Sequence, residues 1–145
     1  MTNGIPPIRS VMTPFPHSVK TGDPLIRAQE LMEEHEIRHL AVTTDDQLVG
    51  VLTDRDLKRA LDPELGLPPK EELLVGDVFV SDAYVTEGGE PLDLVLEQMA
   101  TRHIGSALVT RDGLLMGILT ATDACRLFCD HLRKTYPSGP GTNPA

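Results

Sequence analysis

The chain has 145 residues, 40% hydrophobic and 24% charged, with a net charge of -9 and a pI near 4.9. That is enough aliphatic material for one domain, or for two small units sharing a core. The acidic balance argues against nucleic acid and anionic membrane surfaces as partners, and the absence of Trp with only two Tyr and three Phe argues against base-stacking platforms.

No stretch approaches the ~20 apolar residues of a membrane span, and no signal-peptide pattern is present. Cys125 and Cys129, four apart, make no disulfide framework. Both features predict a cytoplasmic protein in a reducing compartment.

Residues 1–10, with Gly4, Pro6 and Pro7, read as an irregular lead-in. A first unit spans 11–61. Val11-Met12-Thr13-Pro14 opens it in extended form, because the residue before a Pro avoids the helical region. His17 to Lys20 suits a short strand. Asp23-Pro24 suits a helix start, with Asp23 as N-cap and Pro24 at the first turn. Leu25, Ala28, Leu31 and Met32 follow at helical spacing. His39 to Thr44 and Leu48 to Thr53 read as strands around an Asp45-Asp46 turn, and a helix from Asp54 to Leu61 closes the unit.

Residues 62–74 hold Pro63, Gly66, Pro68 and Pro69 and read as a hinge. A second unit over 75–134 repeats the plan. Ala83 to Thr86 is a strand, Glu90-Pro91 starts a helix, Ser106 to Thr110 and Leu114 to Leu119 are strands, and a last helix runs from Ala121 past His131. Residues 135–145 have the composition of a disordered tail.

The two units are copies. Gly50-Val51-Leu52-Thr53-Asp54-Arg55-Asp56 returns as Gly117-Ile118-Leu119-Thr120-Ala121-Thr122-Asp123, 67 residues later. The same offset aligns Pro24-Leu25 with Pro91-Leu92, Met32 with Met99, Ile37 with Ile104 and Val42-Thr43 with Val109-Thr110. Over positions 11 to 61 no gap is needed and roughly a third of the pairs are identical. One strand-helix-strand-strand-helix unit has too little surface to bury alone. Two of them packed sheet to sheet predict an α+β module with a pseudo-two-fold axis.

Each copy ends in Thr-x-x-Asp across a strand-to-helix junction. This is close to a capping box, which needs no ligand. It also places an Asp with two acceptor oxygens, suited to the cis hydroxyls of a ribose, beside a helix N-terminus that favours phosphate. Arg55 adds a cation to the first copy, where the second has only Thr122. His17, His35, His39, His103 and His131 show no repeated metal spacing, and Cys125 and Cys129 read as helix thiols. No catalytic constellation stands out, so no enzyme is expected.

This ordered set, in duplicate over 11–134, resembles a tandem pair of CBS domains, the regulatory repeats named after cystathionine beta-synthase. Ala41 and Leu108 stand where that family often has Pro, and the second lead-in, Val78-Phe79-Val80-Ser81, has lost the Met-Thr-Pro form. The resemblance implies two clefts that bind adenosine ligands such as AMP, ADP, ATP or S-adenosylmethionine. It also implies a homodimer formed through the helices, and a regulated protein partner. One cleft would gather Thr120, Thr122 and Asp123 with Thr13, Ser18, Ile37 and Arg38. Its mirror would gather Thr53, Arg55 and Asp56 with Val80, Val85, Ile104 and Gly105. With polar Thr13 and Ser18 against two valines, the Asp123 cleft is expected to be the better ligand site. The alternative is a ligand-free dimerisation or docking scaffold whose Thr-x-x-Asp turns are only caps.

Overall fold

The computed structural model describes residues 4–66 and 68–137. The first repeat contains β1 (Thr13–Pro14), β2 (Ser18–Lys20), α1 (Leu25–His35), β3 (His39–Thr44), β4 (Gln47–Thr53) and α2 (Asp54–Ala60). The second contains β5 (Val85–Glu87), α3 (Leu92–Arg102), β6 (Ser106–Arg111), β7 (Leu114–Thr120) and α4 (Ala121–Thr135). Of the tail expected over 135–145, Thr135 belongs to α4 and residues 138–145 lie outside the described residues.

Each repeat builds its sheet in the same way. The second strand joins the third in parallel, and the third turns back antiparallel on the fourth, giving β2-β3-β4 and β5-β6-β7. The lead-in strand crosses over. β1 belongs to the first repeat but pairs with β7 of the second, Thr13 opposite Ile118. Val80 answers it from the second lead-in by bridging Val51 on β4. The two copies are therefore laced together by backbone as well as by side chains.

The sheets meet face to face. Leu40, Ala41 and Val42 are all fully buried, as are Ala107 and Leu108, with Val109 at 1% exposure. A run buried on both faces needs cover on both sides, and that is why these strands are continuously apolar instead of alternating. Ala41, Val51, Leu108 and Ile118 form the layer between the sheets. Leu25, Ala28, Leu40 and Leu52 join one helix to its sheet, and Val95, Met99, Val109 and Leu119 do the same in the other repeat. Each fully buried Leu or Val contributes about 1.5–3 kcal/mol of burial.

Three readings of the sequence change. Asp23 is not the N-cap of α1: that position is Pro24, and Asp23 Oδ2 accepts from the Lys20 N–H at 2.8 Å, closing the preceding turn. The N-terminal segment is not merely irregular. Ile8–Ser10 make a 3-10 turn, and Ile8 is fully buried in the second repeat's core. The hinge is also packed at its end: Leu73 is buried in the first repeat's core, as is Val75 just beyond it, and the Leu25 N–H donates to the Leu73 carbonyl at 2.9 Å.

Candidate functional site

The two Thr-x-x-Asp junctions are capping boxes. The Thr53 N–H donates to Asp56 Oδ2 at 3.0 Å, and the Asp56 N–H donates to Thr53 Oγ1 at 3.2 Å. The Thr53 hydroxyl also donates to Asp56 Oδ2 at 2.8 Å. Thr120 and Asp123 repeat the reciprocal pair at 2.9 and 3.2 Å. In both boxes Oδ2 does the capping. No hydrogen bond to either Oδ1 is found among the described residues. Capping therefore occupies one oxygen of each carboxylate, and the cap orients the other.

A cavity of about 970 Å³ opens at the Asp56 junction, between the two repeats. Its walls include seven of the residues singled out from sequence: Arg38, Thr53, Arg55, Asp56, Val80, Ile104 and Gly105. Val85 sits on β5 and does not line it. Thr13, Ser18, Ile37, Thr120, Thr122 and Asp123 are not among its walls either. Ile37 borders a smaller recess of about 460 Å³ between α1 and α2.

Arg38, expected with Asp123, lines the Asp56 cavity. The reason is hairpin register. His39 lies opposite Thr53 across β3 and β4, so Arg38 abuts the start of α2, and its carbonyl accepts from the Asp54 N–H at 2.9 Å. The equivalent bond in the second repeat runs from the Ala121 N–H to the Gly105 carbonyl, also at 2.9 Å.

The wall also holds residues that the sequence reading passed over. Lys58 and Arg59 stand one turn along α2 from Arg55, so three cations share one helix face. That i, i+3, i+4 spacing was visible in the sequence. Lys58 pairs with Asp54 at 3.0 Å. Arg38, Arg55 and Arg59 join no ion pair among the described residues. The four cations Arg38, Arg55, Lys58 and Arg59 share the wall with four carboxylates, Asp54, Asp56, Asp62 and Asp82.

His39 and Tyr84 also line the wall. Burial pushes the His39 imidazole below the usual histidine range. Asp56 pulls it back up, Arg38 adds to the depression, and Asp123 opposes it. Burial raises the Tyr84 phenol, with Glu90 acting in the same direction, which keeps it a hydrogen-bond donor at neutral pH. The guanidinium of Arg102 lies 5.2 Å from the Tyr84 ring centroid.

The chain belongs to the CBS domain family, whose pattern matches it twice, over residues 8–63 and 75–130. It is 32% identical over 117 residues to an inosine-5'-monophosphate dehydrogenase of Thermoplasma acidophilum, covering 80% of this chain but 21% of that enzyme. The chain spans between about a fifth and two fifths of the first three curated relatives it matches. Among solved structures, it is similar to CBSX2 in complex with AMP, at 28% identity and a TM-score of 0.76, covering 88% of this chain and 99% of that one. The fold also matches the CBS domain pair of MJ0100, in complex with 5'-methylthioadenosine and S-adenosyl-L-methionine, at 23% identity and a TM-score of 0.77, covering 88% of this chain and 98% of that one. No helix among the described residues is long and apolar enough to cross a membrane.

Proposed function

We propose that this protein is a regulatory, non-enzymatic CBS pair that binds an adenine nucleotide in the Asp56 cavity and signals occupancy to a partner or to its own dimer. The observation that carries this reading is the pairing of a pre-oriented carboxylate with three arginines that join no ion pair among the described residues, in one cavity of about 970 Å³. That volume lies in the range of small-molecule sites. Asp56 Oδ1 would accept from the ribose hydroxyls. Backbone groups at Ile104 and Gly105 would read the adenine edge, with Val80 against the ring. Arg38, Arg55 and Arg59 would take phosphate, favouring AMP, ADP or ATP over S-adenosylmethionine, which carries none.

Signalling requires that the ligand bind two arrangements of the module unequally. The cavity draws walls from both repeats, so occupancy favours one relative position of them. A homodimer would use α4, whose outer face leaves Phe128 61% and Leu132 40% exposed.

Thermal shift tests the reading. AMP at about 100 times its dissociation constant stabilises by about 2.7 kcal/mol, a rise of several degrees for a chain of this size. Adenosine and S-adenosylmethionine should shift the midpoint less. A melt unmoved by millimolar AMP, ADP and ATP would leave the ligand-free scaffold, in which both boxes serve only their helices.

A further inference from the structure

His39 is the first residue of β3, and it stands where the repeats touch. Its strand partner is Thr53, the cap of the helix that carries Asp56. Its ring lies against Gly105 of the other repeat: a Cβ built there would come within 2.9 Å of His39 Cε1 and 3.2 Å of Nε2. Gly105 in turn accepts from the first N–H of α4, the helix that carries Asp123. The charges of both Asp56 and Asp123 are felt at the imidazole. In the second repeat Ser106 holds the equivalent position, so only one copy has a titratable group here.

One ring nitrogen, Nδ1, is buried with no hydrogen-bond partner among the described residues. A protonated imidazole would leave an N–H donor orphaned there, and a neutral one leaves only a lone pair, which costs less. Geometry and burial agree that the ligand-free module holds His39 neutral at pH 7.

We infer that His39 takes up a proton when a phosphate-bearing nucleotide enters the Asp56 cavity, so that this site reports acidity together with nucleotide. The inference rests on the reading of the cavity given above. Asp56 on α2, Asp123 on α4 and the neighbouring Arg38 act on the ring, and the cavity wall it shares also holds Asp54, Arg55, Lys58, Arg59, Asp62, Asp82, Tyr84 and His103. A phosphate brings one or two negative charges among them. It also engages Arg38, whose charge opposes imidazolium. Both changes favour the charged ring. Protons bound on association tighten binding as pH falls, so affinity rises as pH drops through the interval between the empty and occupied values of His39. An uncharged nucleoside brings no such field and should show no linkage.

Calorimetric titration of the full chain with AMP at pH 6.5, in two buffers of different ionisation enthalpy, counts the protons. His39→Gln retains the ionisation of AMP itself and subtracts it. The wild-type chain should take up more protons than H39Q, and its affinity relative to H39Q should rise about three- to tenfold between pH 8 and pH 5.5. NMR of the wild-type imidazole needs no variant: the His39 Cε1–H should titrate at higher pH with AMP than alone, and should not move with adenosine. AMP bound with equal proton uptake by both proteins, or an imidazole that responds to adenosine as to AMP, overturns the inference and leaves the cavity reading intact. AMP that does not bind at all overturns both.

Discussion

The junctions at Thr53–Asp56 and Thr120–Asp123 share one backbone and differ in their surroundings. Their caps have φ, ψ of -104°, 161° and -102°, 164°, and the same reciprocal bonds. The flanking positions diverge. Asp54, Arg55 and Lys58 face the first cavity, where the second copy has Ala121, Thr122 and Cys125. Asp82 on the first cavity's wall corresponds to Phe15. The repeat has kept the part that orients a carboxylate and changed most of the charged positions around it, with Arg59 matched by Arg126. On the proposed function, a preference for phosphate would reside mainly in those variable positions, not in the motif.

Exchanging the carboxylates is the strongest test of that difference. Asp56→Ala should weaken AMP binding about ten- to hundredfold, the loss expected when a charged acceptor is removed from two donors. Asp123→Ala should leave AMP affinity within about twofold. Each loses a helix cap worth about 1 kcal/mol, so the two should melt alike without ligand. Asp56→Asn keeps one acceptor for the cap and should lose binding with a smaller stability cost. Calorimetry that finds AMP lost in Asp123→Ala and retained in Asp56→Ala would move the ligand to the other cleft.

Much of this was legible in the sequence. The 67-residue repeat carries the fold, because a unit with two apolar strand runs and one amphipathic helix buries itself only against its twin. The caps were legible as well, since Thr-x-x-Asp has a local geometry. The full lining of the Asp56 cavity was not. Thr13 and Ser18 drew attention to the Asp123 side because they are polar, while the cavity of about 970 Å³ is lined by α2 and Arg38. Arg38 was assigned by analogy across the repeats, although the β3–β4 hairpin register already placed it beside Asp54. The crossing of the lead-ins has no sequence signal at all. Each rests on a contact one or two residues long, too short for any periodicity.

The closing helices make a second contrast. α2 has 7 residues and buries Leu57 and Ala60, while α4 has 15 and buries none fully. Ala124, Phe128 and Leu132 recur every four residues along α4, a stripe that its own repeat covers only in part through Leu127. On the proposed homodimer, the second copy covers that stripe. Phe128→Asp with Leu132→Asp should then convert a dimer into a folded monomer of 15.8 kDa by light scattering, with AMP affinity retained. A wild-type chain that is already monomeric at high concentration removes α4 as the self-association face.

The lacing of the repeats predicts a smaller and asymmetric effect. Gly117 and Gly50 are equivalent, and each lies under the lead-in of the other repeat. A Cβ on Gly117 would meet the Met12 side chain, with Cγ at 2.8 Å and Cε at 2.9 Å. A Cβ on Gly50 would meet the Val80 carbonyl oxygen and the Phe79 ring, whose nearest atoms stand at 2.7 and 2.9 Å. Methionine can swing aside, because its chain is unbranched and partly exposed. The Val80 carbonyl cannot, because it accepts from the Val51 N–H at 3.0 Å and its residue donates back at 2.8 Å. Gly50→Ala should cost about 3 kcal/mol and Gly117→Ala about 1 kcal/mol. At roughly 2–4 °C per kcal/mol, circular dichroism melts resolve the two. Equal losses would mean that the Val80 bridge yields as easily as a methionine, and that the second lead-in is not a rigid wall of the cavity it borders.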